Sequence, residues 1–295
     1  MAWERGLIFV WITVAASLIG ICQGNKLEII ALRVPGVIQE GDMESVVLDC
    51  DYTLKHSEGL VLKWYFIPEG SKASAKLIYQ WIPEKDGPQA IGAFRNSINL
   101  SYKASENPHY QYRAMNLLKP SRNMSGTYQC VVDTFTEGPA KSSAKMIVYV
   151  PPKTLQFSQE KNEDGSIEVS CTANDVFPTP VMNIRVENKI MPDIESNVTQ
   201  EHDLLYDIRV ETDLDMDELP EDPTKVFCEL SLPDANYNIK QEGIIYKGGM
   251  PTMVPKSAAS ANLAASASRN NVNSANMLMP CLQLLMALYC SYFVL

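Results

Sequence analysis

Short runs of alternating apolar and polar positions dominate the chain from residue 25 to residue 246. Val46, Leu48 and Cys50 occupy every second position of one such segment, and 60–66 is a run of β-branched, leucine and aromatic residues. Both patterns are typical of half-buried β-strands. Helical periodicity is weak, so the sequence predicts an all-β protein.

The first 24 residues have the order of a secretory signal peptide. Arg5 precedes an apolar run at 7–21, and Cys22 and Gly24 supply the small residues of a cleavage site. We expect cleavage after Gly24 and export to an oxidising compartment. An uncleaved anchor helix is the alternative, although the apolar run is short for a membrane span.

The last 19 residues, 277–295, form a second apolar segment without any charge. Small residues at 266–268 and a polar spacer at 269–276 precede it, which is the order of a glycosylphosphatidylinositol (GPI) attachment signal. We expect a GPI anchor on Ser266, with Ser260 and Ser268 as alternatives. A plain transmembrane helix competes with this interpretation, because 19 residues at about 1.5 Å each cross roughly 28 Å.

Loss of both ends leaves four cysteines, which allow three disulfide pairings. Cys50 and Cys130 are 80 residues apart and bracket Trp64, while Tyr128 stands two residues before Cys130. This set is typical of an immunoglobulin sandwich, in which the tryptophan packs on the disulfide and the tyrosine forms a corner. The long span leaves room for the two extra strands of a variable-type domain.

The second cysteine pair predicts a degenerate, constant-type sandwich. Cys171 and Cys228 are 57 residues apart, but no tryptophan lies between them, and Val226 stands in place of the corner tyrosine. Ile184 or Val186 is expected to fill the tryptophan position. A small disulfide-bridged β domain of another topology is the alternative.

These features divide the chain into five segments. Pro151-Pro152 marks the boundary between the two domains, because it removes two backbone donors and stiffens the connection. A stretch rich in small residues after Tyr246 predicts a flexible stalk. The expected segments are a signal peptide (1–24), a variable-type domain (25–150), an immunoglobulin-like domain (151–246), a stalk (247–266) and a removed anchor signal (267–295).

Charge differs between the two domains. Residues 25–150 hold 14 basic and 13 acidic residues, whereas 151–256 hold 9 basic and 21 acidic residues. Binding to nucleic acid needs a basic face. We therefore expect no nucleic-acid partner.

The sequence offers little catalytic chemistry. His56, His109 and His202 are far apart in the sequence, and the common nucleophile, metal and phosphate-loop motifs do not occur. The acidic run at 211–222 does not fit a calcium-binding loop, because Glu218 stands where that loop needs glycine, and we interpret it as a solvated loop. We expect no enzyme activity, cofactor, metal or small-molecule substrate.

Three sequons fit a secreted surface and predict glycosylation of Asn99, Asn123 and Asn197.

Several segments of the outer domain form a recognisable set: 34–37, Gly41, 48–54, 62–65, 78–83 and 125–130. Together they resemble the beaten-path family of arthropod neuronal immunoglobulin proteins. The similarity covers about 120 residues, and its most specific pieces are Cys-x-Tyr-x-Leu, Lys-Trp-Tyr and a tyrosine-containing strand that ends in proline. The resemblance implies a two-domain recognition protein of axon guidance and synaptic target choice that binds a sidestep-like immunoglobulin receptor on an apposed cell.

Strand alternation predicts the face that binds this partner. If Trp64 and Cys130 point inward, their neighbours on the two strands point outward on one sheet. Tyr79 and Trp81 either join this face or lie in the core. A soluble secreted modulator of adhesion is the alternative function. The expected partner-binding residues are Lys63, Tyr65, Tyr79, Trp81, Val131, Asp133 and Phe135.

Overall fold

The structure, a computed structural model, describes residues 26–85, 87–219 and 222–247, which form two β-sandwiches. The predicted signal peptide (1–24), the predicted lipid site Ser266 and the predicted anchor signal (267–295) lie outside these residues. Within the described ranges, no helix is both long and apolar enough to cross a bilayer.

The first sandwich packs a three-stranded sheet against a six-stranded sheet. Strands β1, β3 and β7 form the first sheet, and the second has the order β2-β9-β8-β4-β5-β6. The short strands β5 and β6 are the two additions that distinguish a variable-type domain. The strands are β1 (Glu28–Arg33), β2 (Val37–Gln39), β3 (Ser45–Thr53), β4 (Val61–Pro68), β5 (Lys76–Trp81), β6 (Gln89–Ala90), β7 (Ala114–Leu118), β8 (Gly126–Asp133) and β9 (Ala140–Tyr149), with 3₁₀-helices η1 (Gly92–Phe94) and η2 (Arg122–Met124).

A disulfide and two aromatic residues form the centre of the first core. Cys50 is bonded to Cys130, and Trp64 lies directly opposite Cys130 in the register of β4 and β8. The buried Tyr128 hydroxyl donates to the carbonyl oxygen of Met124 at 2.7 Å. Burial also raises the pKa of Tyr128, which keeps this donor protonated. This is the tyrosine corner that the sequence predicts.

The second sandwich has two four-stranded sheets, with the orders β10-β11-β15-β14 and β13-β12-β16-β17. The first corresponds to the ABED sheet of a constant-type domain, and the second adds a two-residue strand to its CFG sheet. The alternative of another β topology is therefore wrong. The elements are β10 (Leu155–Lys161), β11 (Ile167–Val176), β12 (Val181–Val186), β13 (Lys189–Ile190), β14 (Glu195–Gln200), β15 (Tyr206–Leu214), β16 (Thr224–Leu232) and β17 (Tyr237–Ile245), with 3₁₀-helices η3 (His202–Leu204) and η4 (Pro233–Ala235).

Ile184 takes the place of the missing tryptophan in the second core. Cys171 is bonded to Cys228, and Ile184 lies opposite Cys228 just as Trp64 lies opposite Cys130. Val226, at the position of the corner tyrosine, is fully buried. An aliphatic core thus replaces the aromatic one of the first domain.

Backbone and side-chain contacts join the two sandwiches. Val150 and Phe177 exchange backbone hydrogen bonds of 2.9 and 3.0 Å, and the rings of Tyr149 and Tyr237 lie 5.4 Å apart.

Arg122 in η2 adds a side-chain contact between the sandwiches, because it donates to the backbone carbonyl of Asp203 at 2.6 Å. The same guanidinium donates to both carboxylate oxygens of Glu40 at 3.0 and 3.2 Å. The junction is therefore fixed by more than the two prolines at 151–152.

Candidate functional site: the outer face of the first domain

The outer face of the six-stranded sheet carries two continuous rows of side chains across β5, β4, β8 and β9. Residues directly opposite one another in antiparallel strands project to the same side. The two rows therefore form one surface. One row is Gln80, Lys63, Val131 and Lys141, and the other is Leu77, Tyr65, Gln129 and Ser143.

The centre of this face combines apolar side chains with Lys63 and Gln129. Tyr65 and Val131 are half-buried on the central strands, as is Leu77 on β5. Lys63 lies directly opposite Val131, Asp133 is the last residue of β8, and neither makes an ion pair with another described residue. Aromatic side chains such as Tyr65 are enriched in protein interfaces.

Tyr79 and Trp81 do not belong to this face, so the prediction for these two residues is wrong. They are only 1% and 2% exposed and lie in the core. The register of β5 gives the reason: Tyr79 lies opposite the core residue Trp64 and Trp81 lies opposite the core residue Leu62, so both face inward. A β-bulge follows, because Tyr65 pairs with Leu77 and leaves Ile78 as an extra residue of β5. The bulge turns Leu77 outward beside Tyr65.

Phe135 lies beyond the end of β8 at the edge of the same face and is 85% exposed. Its backbone N–H donates to the carbonyl oxygen of Glu58 at 3.1 Å. Its ring lies against Gly59, where an added side chain would come within 2.5 Å of the ring. The phenylalanine is thus held on a defined backbone but leaves most of its ring free.

Glu137 holds the loop that carries Phe135. Its carboxylate accepts backbone N–H groups from His56 at 2.9 Å, Lys55 at 3.1 Å and Leu27 at 2.5 Å. These bonds, first that from His56, keep the pKa of Glu137 below its ordinary value. The alternation of apolar and polar residues does not predict this role, because Glu137 lies in a loop and its bonds go to residues that are distant in the sequence.

The corresponding face of the second domain has its charges paired within the domain. Arg185 forms a two-point ion pair with Glu229 at 2.8 and 2.9 Å, which lowers the pKa of Glu229. The ammonium of Lys240 lies 5.0 Å from the ring centre of Phe227. Arg185, Glu229 and Lys240 are therefore engaged within the second domain, whereas Lys63 and Asp133 of the first domain make no ion pair with another described residue.

The three sequons lie away from the outer face of the first domain. The backbone N–H of Asn99 donates to the carbonyl oxygen of Asn116 in β7, on the opposite sheet. Asn123 is exposed in η2, beside the junction with the second domain. Asn197 lies in β14 of the second domain.

The described residues contain no group of three or more histidine, cysteine, aspartate or glutamate side chains arranged to hold a metal. The acidic run at 211–222 is only partly a loop. Its first four residues belong to β15, and Asp215 begins a turn in which its carboxylate accepts the N–H of Asp217 at 2.8 Å.

Comparison with known proteins identifies the fold but finds no close relative. No protein-family model and no curated protein matches the chain. Bovine butyrophilin is structurally similar, with a TM-score of 0.58 at 14% identity over 74% of this chain and 98% of that one. A chain from the crystal structure of ICOS in complex with ICOS-L and an anti-ICOS-L VNAR domain has a TM-score of 0.51 at 13% identity, over 70% of this chain and 96% of that one. The chain therefore has a tandem immunoglobulin-like fold, a variable-type sandwich followed by a degenerate constant-type one.

Proposed function

We propose that this protein is a cell-surface recognition protein whose first domain binds an immunoglobulin-superfamily receptor on an apposed cell. The observation that carries the proposal is the outer face of the first domain. It joins an apolar centre at Tyr65 and Val131 to a nearly free aromatic ring at Phe135. Buried aromatic side chains supply much of the binding energy of protein interfaces, often about 1–3 kcal/mol each.

Contrast within the molecule supports this choice of face. The second domain offers an equivalent sheet, but Arg185, Glu229 and Lys240 are engaged with neighbours on that sheet. Burying such pairs against a partner would require desolvation of charges that are already satisfied. Lys63 in the centre of the face of the first domain and Asp133 at the end of β8 are free to pair across an interface and to set specificity.

The finer assignment rests on the residues shared with the beaten-path family. They support a role in neuronal guidance or synaptic target recognition, with a sidestep-like receptor as the partner. One structural neighbour comes from a complex of ICOS with ICOS-L, which supports a protein partner for this fold.

The test of this proposal is a screen of the purified protein against the immunoglobulin ectodomains of the same species. Saturable binding to one of them supports the proposal, whereas binding to none contradicts it.

We also propose that the mature protein is held at the outer surface of the plasma membrane by a GPI anchor on Ser266. The order of small residues, polar spacer and apolar segment at 266–295 supports this. Phosphatidylinositol-specific phospholipase should release the protein from intact expressing cells. If the protein stays on the cells and the 277–295 peptide is found in the mature chain, it has a transmembrane helix. If native protein is found in the medium without lipase, the soluble modulator is favoured.

Glycans should not interfere with binding through the proposed face. Asn99→Gln and Asn123→Gln remove sequons that lie on the opposite sheet and at the domain junction. Partner affinity should stay within about 1 kcal/mol of wild type, because surface changes away from a contact have small effects. A larger loss in a folded variant would move the interface to the opposite sheet.

A further inference from the structure

Strand β14 (Glu195–Gln200) forms an open edge of the second domain. It is hydrogen-bonded to β15 on one side, and no strand within the described residues pairs with its other side. All six of its side chains are exposed. The outer row of backbone N–H and C=O groups is therefore available to another chain.

An open edge of this kind is a template for strand pairing between molecules. Proteins usually protect such edges with charged side chains, above all lysine, or with proline, a bulge or a very short strand. Strand β14 has six residues, no lysine or proline, a single charged residue at its first position (Glu195), and an unbroken register with β15. Val198 in its middle is 40% exposed although it lies opposite the buried core residue Ile208.

The equivalent edge of the first domain does not present this hazard. There, a single bridge between Ile98 and Leu117 replaces the strand. One bridge offers too short a ladder to pair with a second molecule.

Asn197 lies in the middle of the open edge. It is opposite Arg209, on the side of the strand that faces solvent, and its side-chain amide makes no hydrogen bond to another described residue. A pairing strand would have to lie about 4.8 Å from β14. Sugar residues attached at Asn197 would occupy the space beside that position.

We propose that an N-linked glycan on Asn197 covers the open edge of β14 and prevents two copies of this protein from pairing through their second domains. The glycan is the protective device that the amino-acid sequence of the strand lacks. This role is independent of binding by the first domain.

The test compares sequon variants of the protein purified from expressing cells. Asn197→Gln and Thr199→Ala both remove the glycan, and Asn99→Gln is the matched control on the equivalent edge of the first domain. In sedimentation velocity, both Asn197 sequon variants should self-associate at least about tenfold more tightly than wild type, a difference of about 1.4 kcal/mol. The Asn99 variant should behave as wild type.

A second change locates the association. Adding Val198→Lys to Asn197→Gln places a charge on the edge and should restore the wild-type sedimentation. Trimming the glycans of folded wild-type protein with an endoglycosidase should reproduce the self-association without any substitution. The proposal is overturned if Asn197 carries no glycan in peptide mapping, if the sequon variants and the trimmed protein sediment as wild type, or if Val198→Lys leaves the association unchanged.

Discussion

The hydroxyl of Ser125 should stabilise the first domain independently of its place in the Asn123 sequon. Ser125 is 2% exposed, and its Oγ accepts the backbone N–H of Val148 at 2.9 Å. Val148 is itself fully buried in β9. The Ser125→Ala substitution therefore removes the Asn123 sequon and also leaves a buried N–H group without its acceptor.

The second effect should dominate the loss of stability. A buried donor without a partner costs about 1–3 kcal/mol. For a domain of this size, a loss of about 2 kcal/mol lowers the melting temperature by roughly 5–10 °C. Asn123→Gln abolishes the same sequon but keeps the hydroxyl, so it should differ from wild type by no more than about 0.5 kcal/mol.

Urea unfolding of wild type and the two variants measures the difference directly. Ser125→Ala should shift the unfolding midpoint of the first domain to lower urea with an unchanged slope. Equal stability of Ser125→Ala and Asn123→Gln, which both abolish the Asn123 sequon, would refute the role assigned to the hydroxyl.

Three further outcomes follow from the structure. Tyr128→Phe should cost about 1–2 kcal/mol because it removes the donor to Met124, whereas Tyr65→Phe on the outer face should not measurably change stability; urea unfolding distinguishes the two. The depressed pKa of Glu137 means that its hold on the loop is complete above the ordinary glutamate pKa of 4.5 and is lost as pH falls through the lower folded value. The exchange rates of the Lys55 and His56 amides, each divided by the intrinsic rate at the same pH, should accordingly show stronger protection at pH 5–7 than in strong acid, and equal protection across this range would contradict the assignment. Arg122→Ala should widen the distribution of interdomain angles in small-angle scattering, and an unchanged profile would show that the Val150–Phe177 bridge suffices.

The central fold was predictable from sequence because its signals are short in range and chemically distinctive. The spacing of Cys50, Trp64 and Cys130 specifies a disulfide and its covering aromatic, and the structure contains both. The missing tryptophan position likewise predicts Ile184 or Val186 as its filler, and the structure places Ile184 there, opposite Cys228. In a strand of regular register, the direction of one side chain determines the direction of the next.

The remainder depends on features that alternation does not encode. Tyr79 and Trp81 face the core because β5 pairs with β4 in the register that sets them opposite Trp64 and Leu62, and a slip of one residue would turn both outward. Glu137 acts on backbone groups more than 80 residues away in the chain. Such contacts form only in the folded sandwich, so the alternation of apolar and polar residues in the sequence does not predict them.

Surface plasmon resonance with the receptor found in the ectodomain screen tests the central claim most directly. Tyr65→Ala and Phe135→Ala should each weaken binding by about 1–3 kcal/mol, which is roughly a 5- to 150-fold increase in Kd. Val181→Ala is the matched control, because Val181 is an exposed apolar residue of the second domain, and it should bind as wild type. If Tyr65→Ala, Val131→Ala and Phe135→Ala all remain folded by circular dichroism and bind as wild type, the outer face of the first domain is not the recognition surface.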